Sequence, residues 1–292
     1  MYADAGAAMS PSAYSLNDTS KGALTYTAAQ LWSPNVSYVI WNDEQPGQSV
    51  YNFTVGHTKG FFAYDDAGSG LFVTHSIPLF PVGPQGAPSG YKGLGQNAWM
   101  YGQDAMCLTM KTADINMIAG GLFIEELNVY DMHIVDGAAP NVGNITLLAN
   151  GYSTDAAACV SAVYPLGSYE SVRVFSKSSA WNNELYSACV APTMQKNIWV
   201  ETWIHGGELA PSCGTFTDTY NVKYVKFKSG SSGWETYDDH SKWVVADDAD
   251  FFCMGDINRV QTQFQRGGGT MCVWDTKIAA ALRGAVASGA GC

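Results

Sequence analysis

One tripeptide pattern occurs twice in this chain, as His57-Thr58-Lys59 and again as His240-Ser241-Lys242. Each copy follows a loop-like stretch and runs into an apolar, β-prone segment, Gly60 to Tyr64 in the first and Trp243 to Ala246 in the second. Residues i and i+2 of an extended strand point to the same face, so each triplet sets one imidazole beside one ammonium. One triplet in each half, with strand and helix signals mixed in both halves, predicts an α/β (mixed α+β) chain. The expected arrangement is two pseudo-symmetric lobes, each a β-sheet flanked by helices, with one catalytic cleft between them. The lobe carrying the first triplet is expected over residues 1–150 and the other over 151–292. Outside the triplets no repeat is visible.

The local signals are these. Gly22 to Trp32 reads as a short helix and Ser37 to Trp41 as a strand ending at Asn42-Asp43. Gly60 to Tyr64 and Leu71 to His75 read as a hairpin around Asp65 to Gly70. Pro78 to Pro88 is a loop, Ala105 to Met110 a strand, and Thr112 to Leu127 a helix weakened at Gly120-Gly121. In the second half, Val172 to Phe175, Ile198 to Trp203, Val222 to Phe227, Phe251 to Met254 and Thr270 to Trp274 read as strands. Asn182 to Val190 and Asp275 to Val286 read as helices.

At 292 residues and 47% hydrophobic content the chain can bury a full core. Its formal charge of −11, from 15 Lys+Arg against 26 Asp+Glu, lacks the basic footprint of a general nucleic-acid binder, though it leaves room for a local basic cleft. None of the 7 cysteines forms a Cys-x-x-Cys pair or stands at zinc-ligand spacing from a histidine, so disulfides in an oxidising compartment are expected. Sequons at Asn17, Asn35, Asn52 and Asn144 agree with a secreted or lysosomal glycoprotein. No apolar stretch reaches membrane-spanning length. The first twelve residues lack the basic and apolar regions of a signal peptide, so the sequence reads as incomplete at its N-terminus.

Two imidazoles that exchange protons near neutral pH, beside two fixed cations, suit cleavage of a phosphodiester without a metal or cofactor. Four residues separate Lys242 from Asp247, and Gly255-Asp256-Ile257-Asn258 follows. This resembles the His-x-Lys-x4-Asp…Gly-Ser-x-Asn signature of the phospholipase D superfamily, with Asp256 in the serine position. The first copy departs further, with Tyr64 in the aspartate position and Val73-Thr74-His75-Ser76 in place of the second stretch. Gly56-His-Thr-Lys-Gly60, Thr74-His-Ser-Ile-Pro78, Asp239-His-Ser-Lys-Trp243, Gly255-Asp-Ile-Asn-Arg259 and Arg266-Gly-Gly-Gly-Thr270 together resemble the deoxyribonuclease II family, from about residue 31 to the end.

That resemblance implies a phospholipase D-like fold and metal-independent endonucleolytic hydrolysis of double-stranded DNA in acid. It implies a phosphohistidine intermediate and products with 3′-phosphate and 5′-hydroxyl ends. On this footing His57 is assigned as nucleophile and His240 as acid, although the symmetry of the motifs leaves the reverse open. Lys59 and Lys242 hold the non-bridging oxygens, Asn258 donates to the same oxygens, and Asp247 orients an imidazole. His75 is either a second donor or a structural histidine. The family pattern implies the pairs Cys253–Cys272 and Cys213–Cys292, and a partner for Cys107 in an N-terminal segment. Cys159 and Cys189 have no placed counterpart, and a bond between them is one option.

Other features have plainer readings. His133 and His205 stand in no motif and read as structural. Arg266 to Gly269 lacks the Gly-Lys-Ser/Thr ending of a phosphate loop and reads as a tight turn feeding a strand. Arg259 reads as a core tie, Asp238-Asp239 as a turn cap or a tuner of His240, and the Lys223, Lys226 and Lys228 stripe as a solvated strand face. Two other functions stay open: another phosphodiesterase of the superfamily, or an inactive homologue that binds or scaffolds. Whether a DNA channel is made by two lobes of one chain or by a homodimer is also open.

Overall fold

The structure is a computed structural model that describes residues 1–48, 52–95, 98, 100–135, 137, 141–166, 170–230 and 232–292. Its architecture is mixed α+β with two sheets. The first takes β1 (Ser37–Asn42), β2 (Lys59–Tyr64), β3 (Ser69–His75), β4 (Ala105–Lys111) and β5 (Val129–His133), in the order β4-β3-β2-β1-β5. The second is built from β6 (Val160–Leu166), β7 (Glu170–Lys177), β8 (Ile198–Glu201), β9 (Ser212–Cys213), β10 (Asp218–Val225), β11 (Trp234–Glu235), β12 (Trp243–Ala246), β13 (Phe252–Gly255), β14 (Gly268–Val273) and β15 (Val286–Ala290). Its main path runs β11-β10-β8-β12-β13-β14-β7-β6, with β15 and β9 also on β10. Helices are few: α1 (Ala23–Ala29), α2 (Thr112–Gly121), α3 (Gly143–Ala149), α4 (Ala191–Met194) and α5 (Thr276–Ala285).

The two motif strands sit in matching places. Strand β2 lies antiparallel between β1 and β3, with β4 beyond β3. Strand β12 lies antiparallel between β8 and β13, with β14 beyond β13. Both strands are buried along their whole length, which is why each reads as a continuous apolar run rather than an alternating one. On β2, Phe62 and Tyr64 enter one apolar cluster while Phe61 and Ala63 enter another under α1. The first of these clusters is continuous across the molecule. It takes Val39 and Phe72 from the first sheet, Val174, Trp243 and Met271 from the second, and Ile118, Leu148 and Leu282 from α2, α3 and α5. The far face of the second sheet packs Phe175, Val244 and Cys253 under Tyr186 and Val190.

Differences from the sequence reading are local. The helix expected to Leu127 stops at Gly121, tightens into a 3₁₀ turn over Leu122–Glu125, and reverses at Glu126 with φ +58°. That reversal brings the Glu126 carbonyl to the Gly56 N–H (2.8 Å), one residue before His57. The helix expected over Asn182 to Val190 is a π turn over Tyr186–Val190 followed by α4, with Asn182 itself left-handed. Near the start of the chain Tyr2 and Ser10 form an isolated antiparallel bridge.

Three disulfides join Cys159–Cys189, Cys213–Cys292 and Cys253–Cys272. Cys253 and Cys272 face each other across β13 and β14. Cys107 is free and exposed on β4, at the edge of the first sheet. The Cys213–Cys292 bond spans 79 residues and holds the end of β15 beside β9. By loop-closure entropy, a bond of that span contributes about 4 kcal/mol. A Cys213→Ser, Cys292→Ser double variant should unfold at clearly lower denaturant than the parent. An unchanged midpoint would show that the chain end holds without its bond.

Candidate active site

The loop before β2 and the loop before β12 bring both triplets into one buried site. His57, Lys59, His240 and Lys242 are exposed by only 5%, 2%, 3% and 1%. Each triplet is held by the other half of the chain. The Lys59 N–H donates to Asp256 Oδ1 (3.1 Å), just past β13 in the second sheet. The Lys242 N–H donates to Asp104 Oδ2 (3.0 Å), just before β4 in the first. His240 Nδ1 lies 2.8 Å from the Ser76 carbonyl, at the end of β3. Gly102 and Asp239 form a bridge, and the His240 N–H donates to Gly102 O (2.8 Å). These bonds fix the triplets relative to one another.

The His57 N–H donates to Gly267 O (2.8 Å). A side chain on Gly267 would lie 2.5 Å from Glu125 O, and Gly268 has φ +147°, so this run passes the motif only as glycine. Arg266 is buried beside it, with Nη2 donating to Asp43 (3.1 Å) and to the Val55 and Gly56 carbonyls (3.1 and 3.3 Å). The stretch is a turn that seats His57, as its missing phosphate-loop ending suggested.

Asp43 is the centre of the first pair. Its carboxylate accepts from Lys59 Nζ and Arg266, and lies 3.8 Å from His57 Nε2. In the second pair Lys242 Nζ donates to the His240 carbonyl. Glu201 accepts from Ser241 Oγ (3.1 Å) behind it. His75 stacks on Phe80 with ring centroids 4.6 Å apart, and its Nδ1 accepts from the Ile77 N–H (3.2 Å). Asn258 is buried two residues past Asp256. His57 Nδ1, His75 Nε2 and Asn258 Oδ1 are buried without a hydrogen-bond partner among the described residues, a state that polar atoms in folded proteins rarely keep away from functional sites.

Asp247 is placed elsewhere, contrary to the role given it above. It accepts from Trp199 Nε1 (2.8 Å) and Arg283 Nη2 (2.9 Å), with its side chain 45% exposed. Five residues of extended chain carry it roughly 16 Å along β12 from Lys242. The carboxylate that meets an imidazole is Asp43, which appeared in the sequence only as the end of a strand. Asp104 and Glu201 carried no local signal of their place here, whereas Asp256 stood in the signature's serine position. Arg259 is a core tie, donating to Ala210 O (2.9 Å) and to Asn221. Asp239 caps its turn, accepting from the Ser241 N–H (3.0 Å) and from Trp234 Nε1 (2.6 Å). His205 is not isolated, because it joins an aromatic cluster that reaches His240.

Burial, then the neighbouring Lys59 and Arg266, hold His57 well below the usual histidine range. Burial and Lys242 do the same to His240. Burial, with Lys59 adding, pushes His75 down to about 3. Lys242 falls to about 8 through burial and Lys59. The buried acids move the other way, with Asp104 raised to about 7 and Glu125 to about 8 by burial. Glu201 and Asp256 are also raised well above the usual range by burial. Burial therefore favours the neutral form of all three imidazoles.

The linkage signs oppose each other. A carboxyl raised in the fold takes up a proton that the unfolded chain does not, so stability is gained as pH falls through about 8 and about 7 for Glu125 and Asp104. A histidine depressed in the fold loses stability as pH falls through the unfolded value of about 6.5. Lys177 and Lys242, lowered to about 8, gain stability as pH rises through about 8, but Glu201 and Asp256 add to the raised acids, so the thermal midpoint should be higher near about pH 6.5 than near about pH 8.5. A midpoint lower near about pH 6.5 than near about pH 8.5 would mean the buried acids are ionised in the fold.

A family model described as deoxyribonuclease II matches residues 1–292. The chain is 32% identical over 276 residues to plancitoxin-1 of Acanthaster planci, covering 91% of this chain and 75% of that protein. It is 31% identical over 275 residues to cell death-related nuclease 6 of Caenorhabditis elegans, covering 88% and 71%. It is 28% identical over 282 residues to deoxyribonuclease-2-beta of Homo sapiens, covering 93% and 76%.

Proposed function

Because the chain belongs to the deoxyribonuclease II family, we propose that it is an acid endonuclease that hydrolyses double-stranded DNA through a phosphohistidine, without a metal. The observation that carries this reading is the meeting of two His-x-Lys pairs in one buried site, tied by reciprocal carboxylate bonds to the lysine amides.

His240 is the nucleophile and His57 the acid in this proposal, the reverse of the assignment from sequence. A carbonyl can only accept, so the 2.8 Å contact with Ser76 O favours the proton of neutral His240 on Nδ1 over the longer 3.3 Å approach of Lys242 Nζ, which donates to the His240 carbonyl instead. Its Nε2 then carries the lone pair. Nε2 attacks phosphorus, the bond to the 5′-oxygen breaks, and protonated His57 gives that oxygen its proton. Water then attacks phosphorus, His57 takes its proton, and the phosphorus–Nε2 bond breaks to leave a 3′-phosphate. Ser76 O supports the positive charge that builds on His240 in the first step, while Lys59 and Lys242 meet the non-bridging oxygens. Acid operation follows from electrostatics. Burial, with nearby cations adding, depresses His57, so it holds its catalytic proton only in acid or with a phosphodiester anion beside it.

The three disulfides support an oxidising compartment, lysosomal or extracellular. Among the sequons Asn35 is exposed, whereas Asn144 Nδ2 is engaged with Asn116 O (3.0 Å), so Asn35 is the better glycan acceptor. Incubating supercoiled plasmid with the protein and a chelator, at acid and neutral pH, tests the activity. Nicking confined to acid, with ends that accept label from polynucleotide kinase without prior phosphatase treatment, is expected. Loss of nicking with chelator, or 5′-phosphate ends, overturns the mechanism.

A further inference from the structure

One imidazole beside the catalytic pair has no part in the mechanism above. The ring of His205 stacks on Tyr237, with centroids 3.8 Å apart at 28°, and lies 4.0 Å from the ring of Trp203. Trp203 in turn lies 4.8 Å from the ring of His240, so one indole separates the two imidazoles. His240 is 3% exposed, whereas His205 and Trp203 are half-buried and Tyr237 is 52% exposed. His205 therefore stands where the site meets the surface.

Hydrogen bonding decides what each ring nitrogen can offer. Nε2 lies 3.3 Å from Tyr237 O, which also accepts from Trp203 Nε1 (3.0 Å). A carbonyl only accepts, so Nε2 keeps its hydrogen and neutral His205 carries a lone pair on Nδ1. Nδ1 has no partner among the described residues and, unlike His57 Nδ1, is not enclosed. A second proton turns Nδ1 into a donor, keeps the Nε2 bond, and places a cation against two aromatic rings that attract it. No carboxylate forms an ion pair with His205 among the described residues. The titratable groups around it are Tyr237, Tyr101 (6.5 Å between centroids) and His240 across Trp203. On the Tyr237 turn, Asp238 is exposed and Asp239 is engaged by Ser241 and Trp234. Glu208, on the segment of His205 itself, is paired with Lys223.

We propose that His205 is a substrate contact switched on by acid, binding the backbone phosphate next to the scissile one on duplex DNA. The inference rests on the nuclease reading above and deepens it. Phosphates line the outside of a duplex, so a contact at the surface requires no base to leave its pair. Histidine changes charge between about pH 5 and 8, so the contact is made in acid and lost above it. A chain of formal charge −11 repels DNA, and a donor that gains charge beside the site offsets this locally. The same charge serves His240. Burial, then Lys242 and Lys59, hold His240 below the usual range, and His205 acts in the same direction, so a proton on His205 helps keep the nucleophile neutral.

Fluorescence anisotropy of a labelled DNA duplex tests the contact in a His57→Ala background, where turnover is removed. At about pH 5, adding His205→Ala should weaken binding about tenfold and lower the salt slope of log Kd by about 1, the share of one phosphate. At about pH 8 the two forms should bind alike. His205→Lys lacks the ring but keeps a charge, so it should match the His205 form at about pH 5 and bind tighter than it at about pH 8. Alanine and lysine lose the ring stack equally, so the lysine variant separates charge from packing. Equal affinity and slope in acid for the His205 and alanine forms overturns the contact, as does failure of lysine to restore binding. Plasmid nicking by the parent is scored separately. A parent that nicks without the His205 effect loses this contact alone. A His205-dependent slope in a parent that does not nick keeps the phosphate contact and loses the nuclease reading.

Discussion

His240→Ala is expected to lose DNA cleavage by on the order of 10⁴-fold or more, with no recovery on any leaving group. His57→Ala should be equally poor on DNA yet recover to within about tenfold of the parent on a thymidine 3′-(p-nitrophenyl phosphate). The logic lies in what each imidazole does. An alkoxide leaving group needs a proton, and a nitrophenolate does not, so a missing general acid is forgiven by the activated ester. A missing nucleophile is not forgiven. In the proposed mechanism the Ser76 carbonyl, 2.8 Å from His240 Nδ1, is what assigns the two roles. Recovery of His240→Ala with no recovery of His57→Ala would exchange the two roles. Failure of both variants on both substrates would mean that each imidazole also binds the phosphate strongly.

Asp43→Ala should be the most destabilising single change at the site. Asp43 is 1% exposed and faces Lys59, Arg266 and His57. Removing it leaves two buried cations without their shared counter-charge, a change that typically costs about 3–5 kcal/mol. For a chain of this size that is a drop in thermal midpoint of roughly 10 °C. Activity should fall as well, since His57 would feel Lys59 and Arg266 unopposed and hold its proton only at lower pH. The alkaline limb of the pH–rate profile, where His57 loses its proton, should therefore move to lower pH. A midpoint within a degree or two of the parent would show that Arg266 and Lys59 find other partners. An unmoved pH profile would show that Asp43 does not tune His57.

The two predictions draw on features of different legibility. His57, Lys59, His240 and Lys242 could be found by reading along the chain, because a triplet at the head of a buried strand is a local pattern. So could β1 to β4, β7, β12 to β14 and α5, where runs of apolar residues are bounded by turns. By contrast β15, with the sequence Val-Ala-Ser-Gly-Ala, has no strand signal of its own. It forms because β10 offers an edge and Gly289 fits against Trp199, where a Cβ would lie 2.3 Å from the indole. Asp247 stood at the family spacing and still missed the site, because β12 carries it to the far end of the strand.

The paired His-x-Lys triplets, the strands that follow them and the cysteines available to pair are legible along the chain, since each depends on residue type and on periods of a few residues. Which carboxylates stand beside the triplets depends on long-range contacts. Asp256 meets the Lys59 amide across 197 positions, and Asp104 meets that of Lys242 across 138. The same holds for His205, which stands beside His240 rather than alone. Contacts between such distant residues follow from how the sheets pair and pack, and no local period in a chain records that.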